Sequence, residues 1–279
     1  MTSTAAIHPG VNRSCPLCHG SGYGVSREGE LAVASTCTCV GVCPHCRDTG
    51  FVALGDEYRA RRARCGCRVF HNRISNFNDV RIPARHAAST REAFDTSGPR
   101  MQGFMAVSQY IKTWDGDRDN RGMVLYGSVG RGKTHLMVAL LRELVFGHGV
   151  TARFVEFSHL LADLKSGFDV GRGSASTLDP LVAVDILAID ELGKGRNTEF
   201  EGTVVDELVS RRYNAAKPIL ATTNYEPGQS RGIATPQLAT GQTPALVDRI
   251  GDRVYSRLRE TADFVALRGD DYREQRRRV

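Results

Sequence analysis

The sequence predicts an α/β fold: a P-loop NTPase with a mostly parallel sheet covered by helices on both faces, preceded by a small cysteine-rich, zinc-binding region. Three observations carry this. All eight cysteines lie before residue 68. An apolar strand pattern runs directly into G-x-x-x-x-G-K-T at residues 127–134. Beyond it, short apolar runs alternate with helical patterns, as strand–helix–strand units of a parallel sheet do.

The cysteines come first in the chain. Cys15, Cys18, Cys37 and Cys39 form the pattern C-x2-C-x18-C-x-C, and a shift of 28 residues lands it on Cys43, Cys46, Cys65 and Cys67. A repeat at fixed period means two copies of one structural unit. The N-terminal stretch MTSTAAIHPGVNRS lacks the apolar core of a signal peptide, so a reducing, cytoplasmic location is expected and disulfides are not. Paired Cys-x-x-Cys and Cys-x-Cys clips in that setting hold a metal, and four thiolates suit tetrahedral zinc with no open position for catalysis. The spacing favours one zinc per repeat, two in all, with Gly22 and Gly50 in the turns after the first clips. The first clip also resembles the CxxCxGxG of J-protein co-chaperones, so an interleaved pairing stays open. Segments this short bury too little apolar surface alone, and the metal supplies folding energy.

The 279 residues leave room for this region and one ordinary domain. The expected division is a flexible N-terminus at 1–14, two zinc modules at 15–70, an arginine-rich linker at 71–97 and an ATPase domain at 98–279. No stretch is apolar enough to span a membrane. The formal net charge is +6. Eight thiolates and two zinc ions bring it to about +2, so the overall charge argues little for a nucleic-acid partner. Its distribution argues more: from Glu57 to Arg91 nine arginines (59, 61, 62, 64, 68, 73, 81, 85 and 91) face two carboxylates, Glu57 and Asp79.

Residues 122–135, GMVLYGSVGRGKTH, have the strand before and the helix after that a phosphate-binding loop requires. Gly127, Gly130 and Gly132 let backbone N–H groups wrap the phosphates of ATP, and the helix N-terminus adds its positive end. Lys133 reaches the β and γ phosphates, and Thr134 offers its hydroxyl to Mg2+. Only five of the 37 basic residues are lysine, so Lys133 here is not a chance cation. In DILAIDE, a buried strand run ends in Asp190 and Glu191, on the sheet edge where such folds bind ligands. Asp190 is expected to hold the magnesium shell and Glu191 to polarise the attacking water. The strand PILATTN ends in Asn224, placed to orient that water.

Further elements complete the sheet: ARFVEF (152–157) and ADFVAL (262–267) as strands, with a helix starting at Ser158. Thr198-Glu-Phe-Glu is a capping box opening a helix. Residues 245–259 read as one helix, with Leu246, Ile250, Val254 and Leu258 on its buried stripe. Arg249, Arg253 and Arg257 flank that stripe, and one of them is expected to reach a neighbouring subunit's γ-phosphate. The long loop 226–243 has no role assigned by its residues.

GSVGRGKTHLMVAL, AIDELGKGRNTEFE, RRYNAAKPILATTNY, DRIGDRVYSRLRE and the closing DYR together resemble the AAA+ ATPases of the DnaC helicase-loader and IstB transposition-helper group, over about residues 90–279. That resemblance implies sensor-one for Asn224, the arginine finger for Arg257 with Arg253 as alternate, and sensor-two for Arg273. It implies self-association on ATP into open spirals, often around single-stranded DNA, and a replicative helicase as partner. Some loaders grip the helicase through a helical N-terminal segment, whereas this chain has two zinc knuckles.

The expected function is therefore an ATP-dependent helicase loader in replication initiation or restart, engaging its partner through residues 15–67. Lys194 and Arg196, in the loop after the acid pair, are expected to meet DNA phosphates. Two alternatives are a transposition helper ATPase and a zinc-bearing AAA+ unfoldase or chaperone. The last would need an aromatic pore loop and a helical lid after the final strand.

Overall fold

The computed structural model describes residues 7–54, 61–116, 121–169, 171, 173–228 and 244–272. Arg59, Arg273 and all but the first three residues of the loop 226–243 lie outside them. The chain forms two units, Met1–Ser89 with Leu141–Ala152, and Thr90–Leu140 with Arg153–Val279.

In the first unit, two hairpins follow the two cysteine clips: β1 (Tyr23–Glu28) with β2 (Leu31–Thr36), and β3 (Phe51–Leu54) with β4 (Arg61–Arg64). The repeat extends to hydrogen bonding. Cys37 N–H donates to the Gly22 carbonyl at 2.8 Å, and Cys65 N–H to the Gly50 carbonyl at 2.9 Å. Helix α1 (Gly66–Val80) follows, with Cys65 at its N-cap position and Cys67 in its first turn. The stretch expected as a linker from residue 71 thus begins inside this helix: Phe70, Phe77 and Val80 are buried on one stripe. The Asn78 side chain bonds the Ala34 backbone N–H at 2.7 Å and its carbonyl at 3.1 Å. The rings of Tyr23 and Phe77 stack on Phe146 at 3.9 and 5.0 Å, all within this unit.

In the second unit, α2 (Arg100–Thr113) precedes the sheet strands β5 (Gly122–Tyr126), β6 (Ala152–Glu156), β7 (Ile186–Asp190), β8 (Ile219–Thr223) and β9 (Ala262–Ala266). Their order is β6-β7-β8-β5-β9, and the pairs β7/β8, β8/β5 and β5/β9 are parallel. Between strands lie α3 (Lys133–His148), whose residues from Leu141 on are counted with the first unit, α4 (Phe157–Asp169), α5 (Ala175–Ala183) and α6 (Glu199–Asn214). Leu187 and Ile189 of β7 join a core with α4, α5 and α6, while Ile186 and Ala188, which alternate with them, are buried as well. A strand buried on both faces is what a covered parallel sheet needs.

The expected single helix over 245–259 is two: α7 (Leu246–Ile250) and α8 (Asp252–Thr261), broken at Gly251, whose φ is 80°. A strict spacing of four drifts about 40° per step around a continuous helix. The turn at Gly251 resets the phase, and Leu246, Ile250, Val254 and Leu258 all reach the same core. The capping box is half realised. Thr198 Oγ1 accepts from Glu201 N–H at 3.3 Å, but the Glu201 carboxylate reaches past Thr198 to the N–H groups of Arg196 and Asn197 at 3.1 and 2.8 Å.

Candidate functional site

The phosphate loop joins β5 to α3. Gly127, Gly130 and Gly132 have φ of 132°, 77° and 86°, which a side chain would make strained. Lys133 is 7% exposed, and its ammonium donates to the Gly127 and Ser128 carbonyls at 2.7 and 2.8 Å. The loop therefore already wraps the amine that would meet the phosphates.

Asp190, at the end of β7, is buried. Its Oδ1 accepts from Thr134 Oγ1 at 2.9 Å and from Thr222 Oγ1 at 2.5 Å. A hydroxyl and a carboxylate within one hydrogen bond suit a hard, oxygen-seeking cation such as Mg2+. Thr222 is not among the site residues expected from the sequence; its only signal there is a hydroxyl near the end of a buried strand. Thr222 also accepts from Glu191 N–H at 3.0 Å, and Thr223 donates to the Leu192 carbonyl at 2.8 Å. Strand β8 thereby aligns the turn that presents Glu191. Glu191 has φ 57°, a left-handed conformation that a non-glycine residue holds only where its surroundings enforce it. Asn224 is exposed directly after β8.

Lys194 forms an ion pair with Glu191 and lies 4.0 Å from Glu156, at the end of β6. The hydrogen bond to Glu191 raises the Lys194 pKa. A cavity of about 860 Å3 opens beside it, lined among others by Ser158, Lys165, Lys194, Arg196 and Phe200.

The three arginines that flank the apolar stripe, Arg249, Arg253 and Arg257, part company. Arg249 donates to the Gly193 carbonyl at 3.0 Å and to that of Gly195, and lies over the Tyr225 ring, so it props its own chain's Lys194 loop. Arg253 pairs with Asp206 at 3.4 Å and is 70% exposed. Arg257 pairs with Asp206 at 3.0 Å, donates to Ser210 Oγ and is 20% exposed. Arg273 lies outside the described residues, but the chain leading to it rests on the phosphate loop. Tyr272 N–H donates to the Gly130 carbonyl at 3.0 Å, and the Asp271 carboxylate fills the space where a Gly130 side chain would be.

The cysteines gather by repeat, Cys15/Cys18/Cys37/Cys39 and Cys43/Cys46/Cys65/Cys67, with the sulfurs of each set within 4.8 Å of one another. Cys15–Cys37 and Cys18–Cys39 Sγ pairs are 3.9 and 3.5 Å apart, and Cys43–Cys65 and Cys46–Cys67 are 3.7 and 3.3 Å apart. Zinc–sulfur bonds of about 2.3 Å give a tetrahedron with edges of about 3.8 Å, so both sets fit zinc. Gly22 and Gly50 N–H groups each point at a sulfur, of Cys18 and Cys46, at 3.3 Å. Burial pushes Cys39 up to about 12; Cys18, though burial opposes it, is held down to about 6 by the Gly22 N–H and neighbouring thiols. Four thiols so crowded cannot all ionise alone, and a divalent cation resolves the conflict. Elemental analysis is expected to find two zinc ions per chain, one in Cys18→Ser and none in Cys18→Ser/Cys46→Ser. A variant in which Cys18→Ser empties both sites would contradict independent modules.

The sheet order, the phosphate loop on β5 and the buried acid on β7, one strand away across β8, define a P-loop ATPase of the AAA+ class. The chain belongs to the family of IstB-like ATP binding proteins, whose model matches residues 105–279. It is 24% identical over 230 residues to the replicative helicase loader DnaC of Escherichia coli (strain K12), covering 80% of each chain. It is 27% identical over 192 residues to a putative ATP-binding protein in an insertion sequence of Mycobacterium tuberculosis (strain ATCC 25618 / H37Rv), covering 68% of this chain and 70% of that one. The crystal structure of the DnaC helicase loader shares the fold, with a TM-score of 0.55 and 22% identity over 66% of this chain and 99% of that one. Among the described residues, no helix is long and apolar enough to cross a membrane.

Proposed function

We propose that the protein is an ATP-dependent helicase loader acting in DNA replication initiation or restart. The observation that carries this reading is the joined set Lys133, Thr134, Asp190, Thr222 and Glu191 on a chain similar to DnaC over 80% of both sequences. Lys133 binds the terminal phosphates. Thr134 and Asp190 would hold Mg2+, which when bound neutralises charge on the transferring phosphoryl group. Glu191 takes the proton of the attacking water, and Asn224 orients that water. Arg257, or Arg253 as alternate, acts on the nucleotide of a neighbouring subunit, and Arg273 acts on its own.

The Glu191–Lys194 ion pair makes the hydrolytic carboxylate unavailable until Lys194 is drawn away. Single-stranded DNA entering beside Lys165, Lys194 and Arg196 supplies phosphates that compete for Lys194. DNA binding is thereby linked to turnover in an ATP-assembled oligomer, while the zinc modules engage the helicase.

The test is co-elution of the Glu191→Gln chain, held in ATP, with the purified replicative helicase of the same cell. Its absence, with ATP bound, removes the loader reading. The insertion-sequence relative and the IstB-like family favour one second reading, a transposition helper, which expects a transposase to co-elute instead.

Arg257 has its own test. Mixing Arg257→Ala with Lys133→Ala subunits is expected to restore hydrolysis, because some neighbours then bring an intact finger to an intact pocket. No recovery at any ratio, with assembly verified, returns Arg257 to its ion pair with Asp206 and leaves Arg253 as the candidate.

A further inference from the structure

The two zinc modules are copies in backbone but not in what they expose. In an antiparallel hairpin, directly opposed residues and their i+2 neighbours share a face. In the first module one face holds Tyr23 opposite Thr36 and Val25 opposite Ala34. Much of it is covered: Ala32 and Ala34 are buried, β2 packs on α1, and the Tyr23 ring stacks on Phe146. Moved on by 28 residues, the same face of the second module holds Phe51 opposite Arg64 and Ala53 opposite Arg62. All four of these residues are exposed. The aromatic position is kept, while the positions of Ala34 and Thr36 have become arginines.

Arg68 completes the surface. Its guanidinium lies 4.6 Å from the centre of the Phe51 ring, and its stem packs against Gly50. On the other face of the hairpin, Val52 packs against the cysteine cluster. An exposed aromatic ring among three guanidiniums, with no carboxylate between residues 61 and 73, matches an anionic partner that also offers flat rings. Arginine binds phosphate through a planar fork, and bases stack on both aromatic and guanidinium planes.

We propose that this open face of the second zinc module, Phe51 with Arg62, Arg64 and Arg68, binds single-stranded nucleic acid. The site is separate from the Lys194 loop and does not rest on the ATPase reading. It binds without nucleotide, so it tethers DNA before assembly, whereas the Lys194 cavity acts afterwards. Stacking on Phe51 favours a single strand, whose bases are free, over a duplex, whose bases are already stacked.

The experiment is fluorescence anisotropy with the full chain, no nucleotide and a labelled oligothymidylate, between about 50 and 200 mM salt. To keep the two sites distinguishable, the background is Lys194→Ala/Arg196→Ala. Arg62→Gln/Arg64→Gln is expected to lower the salt slope by about 1.4, two phosphate contacts at about 0.7 each. Phe51→Ala is expected to weaken binding roughly 5- to 150-fold with little change in slope, and to leave duplex binding of the same length unaltered. Zinc content of two per chain, and basal ATP hydrolysis equal to that of the Lys194→Ala/Arg196→Ala background itself, show that the added substitutions leave the chain folded. Affinity and slope that persist in Phe51→Ala/Arg62→Gln/Arg64→Gln overturn the proposal. So does displacement of the oligonucleotide by polyglutamate of matched charge, which would mark a surface for acidic protein instead.

Discussion

A Glu191→Gln chain is expected to bind ATP as tightly as the native chain and to hydrolyse it about 10^2- to 10^4-fold more slowly, the range a positioned general base supplies. The amide keeps the shape of the side chain and the Glu191 N–H bond to Thr222 Oγ1 at 3.0 Å, so the turn at φ 57° need not move. What is lost is the acceptor for a proton. Binding depends on other groups: Lys133, curled onto the Gly127 and Ser128 carbonyls, is the one whose change to alanine removes nucleotide affinity as well as turnover. Equilibrium binding of a fluorescent ATP analogue, set beside phosphate release, separates the two variants. A Gln variant with native turnover would move the water-activating role away from Glu191. The same variant also tests Lys194: with the carboxylate gone, its Glu191 ion pair is gone, and DNA should no longer stimulate residual hydrolysis.

The second large effect is on stability. Arg212, on α6, is fully buried. One guanidinium nitrogen donates to the carbonyls of Leu181 and Val184 at 2.7 and 3.1 Å, and the other to those of Asp185 and Pro218, both at 2.8 Å. Burial pulls its pKa down to about 10, with Asp185 acting against that shift. These carbonyls sit where α5 ends and where β7 and β8 begin, so a single side chain clamps the entry to two adjacent sheet strands. Arg212→Met strands the carbonyls without donors and is expected to cost about 3–5 kcal/mol, the range for removing one partner of a buried charged network. At about 2–4 °C per kcal/mol, the melting temperature of the ATPase unit falls by roughly 6–20 °C. Arg212→Lys, with a compact ammonium, is expected to fall between. A melting temperature within a degree or two of native for Arg212→Met would show that water replaces the guanidinium.

These two sites differ in how they can be found. Lys133, Thr134, Asp190 and Glu191 are legible in the chain because phosphate and magnesium chemistry constrains residue type and spacing together, so a short motif carries the information. The three central strands β5, β7 and β8 are legible for a related reason: a strand buried on both faces must be almost wholly apolar, and such runs are rare elsewhere. Arg212 follows no such rule. In RRYN it looks like the exposed end of a helix, and its partners are backbone carbonyls that any sequence would offer.

The helix at 245–259 shows where pattern reading misleads. A spacing of four apolar residues reads as one helix, and Gly251 is a single residue against fifteen. The break at φ 80° is decided by packing, because only an interrupted helix brings Leu246 and Leu258 to the same core. It also separates Arg249 from Arg253 and Arg257, which one continuous helix would have placed in a row.

The cysteine repeat stands between these cases. Period and ligand type, and hence two four-thiolate units, were determined by the sequence, since metal chemistry leaves few other uses for such spacing. Which four sulfurs meet was decided by the fold: each hairpin returns its Cys-x-Cys to the clip that precedes it, and the sulfurs meet within a repeat. The sequence likewise placed Arg62 and Arg64 in a basic stretch, with Phe51 just before it, but a linear chain does not say which side chains share a face. The register of β3 against β4 sets them together, and α1 and Phe146 cover part of the corresponding face of the first module while the second stays open. Local chemistry is written residue by residue; faces, clamps and coverings arise only when distant segments pack.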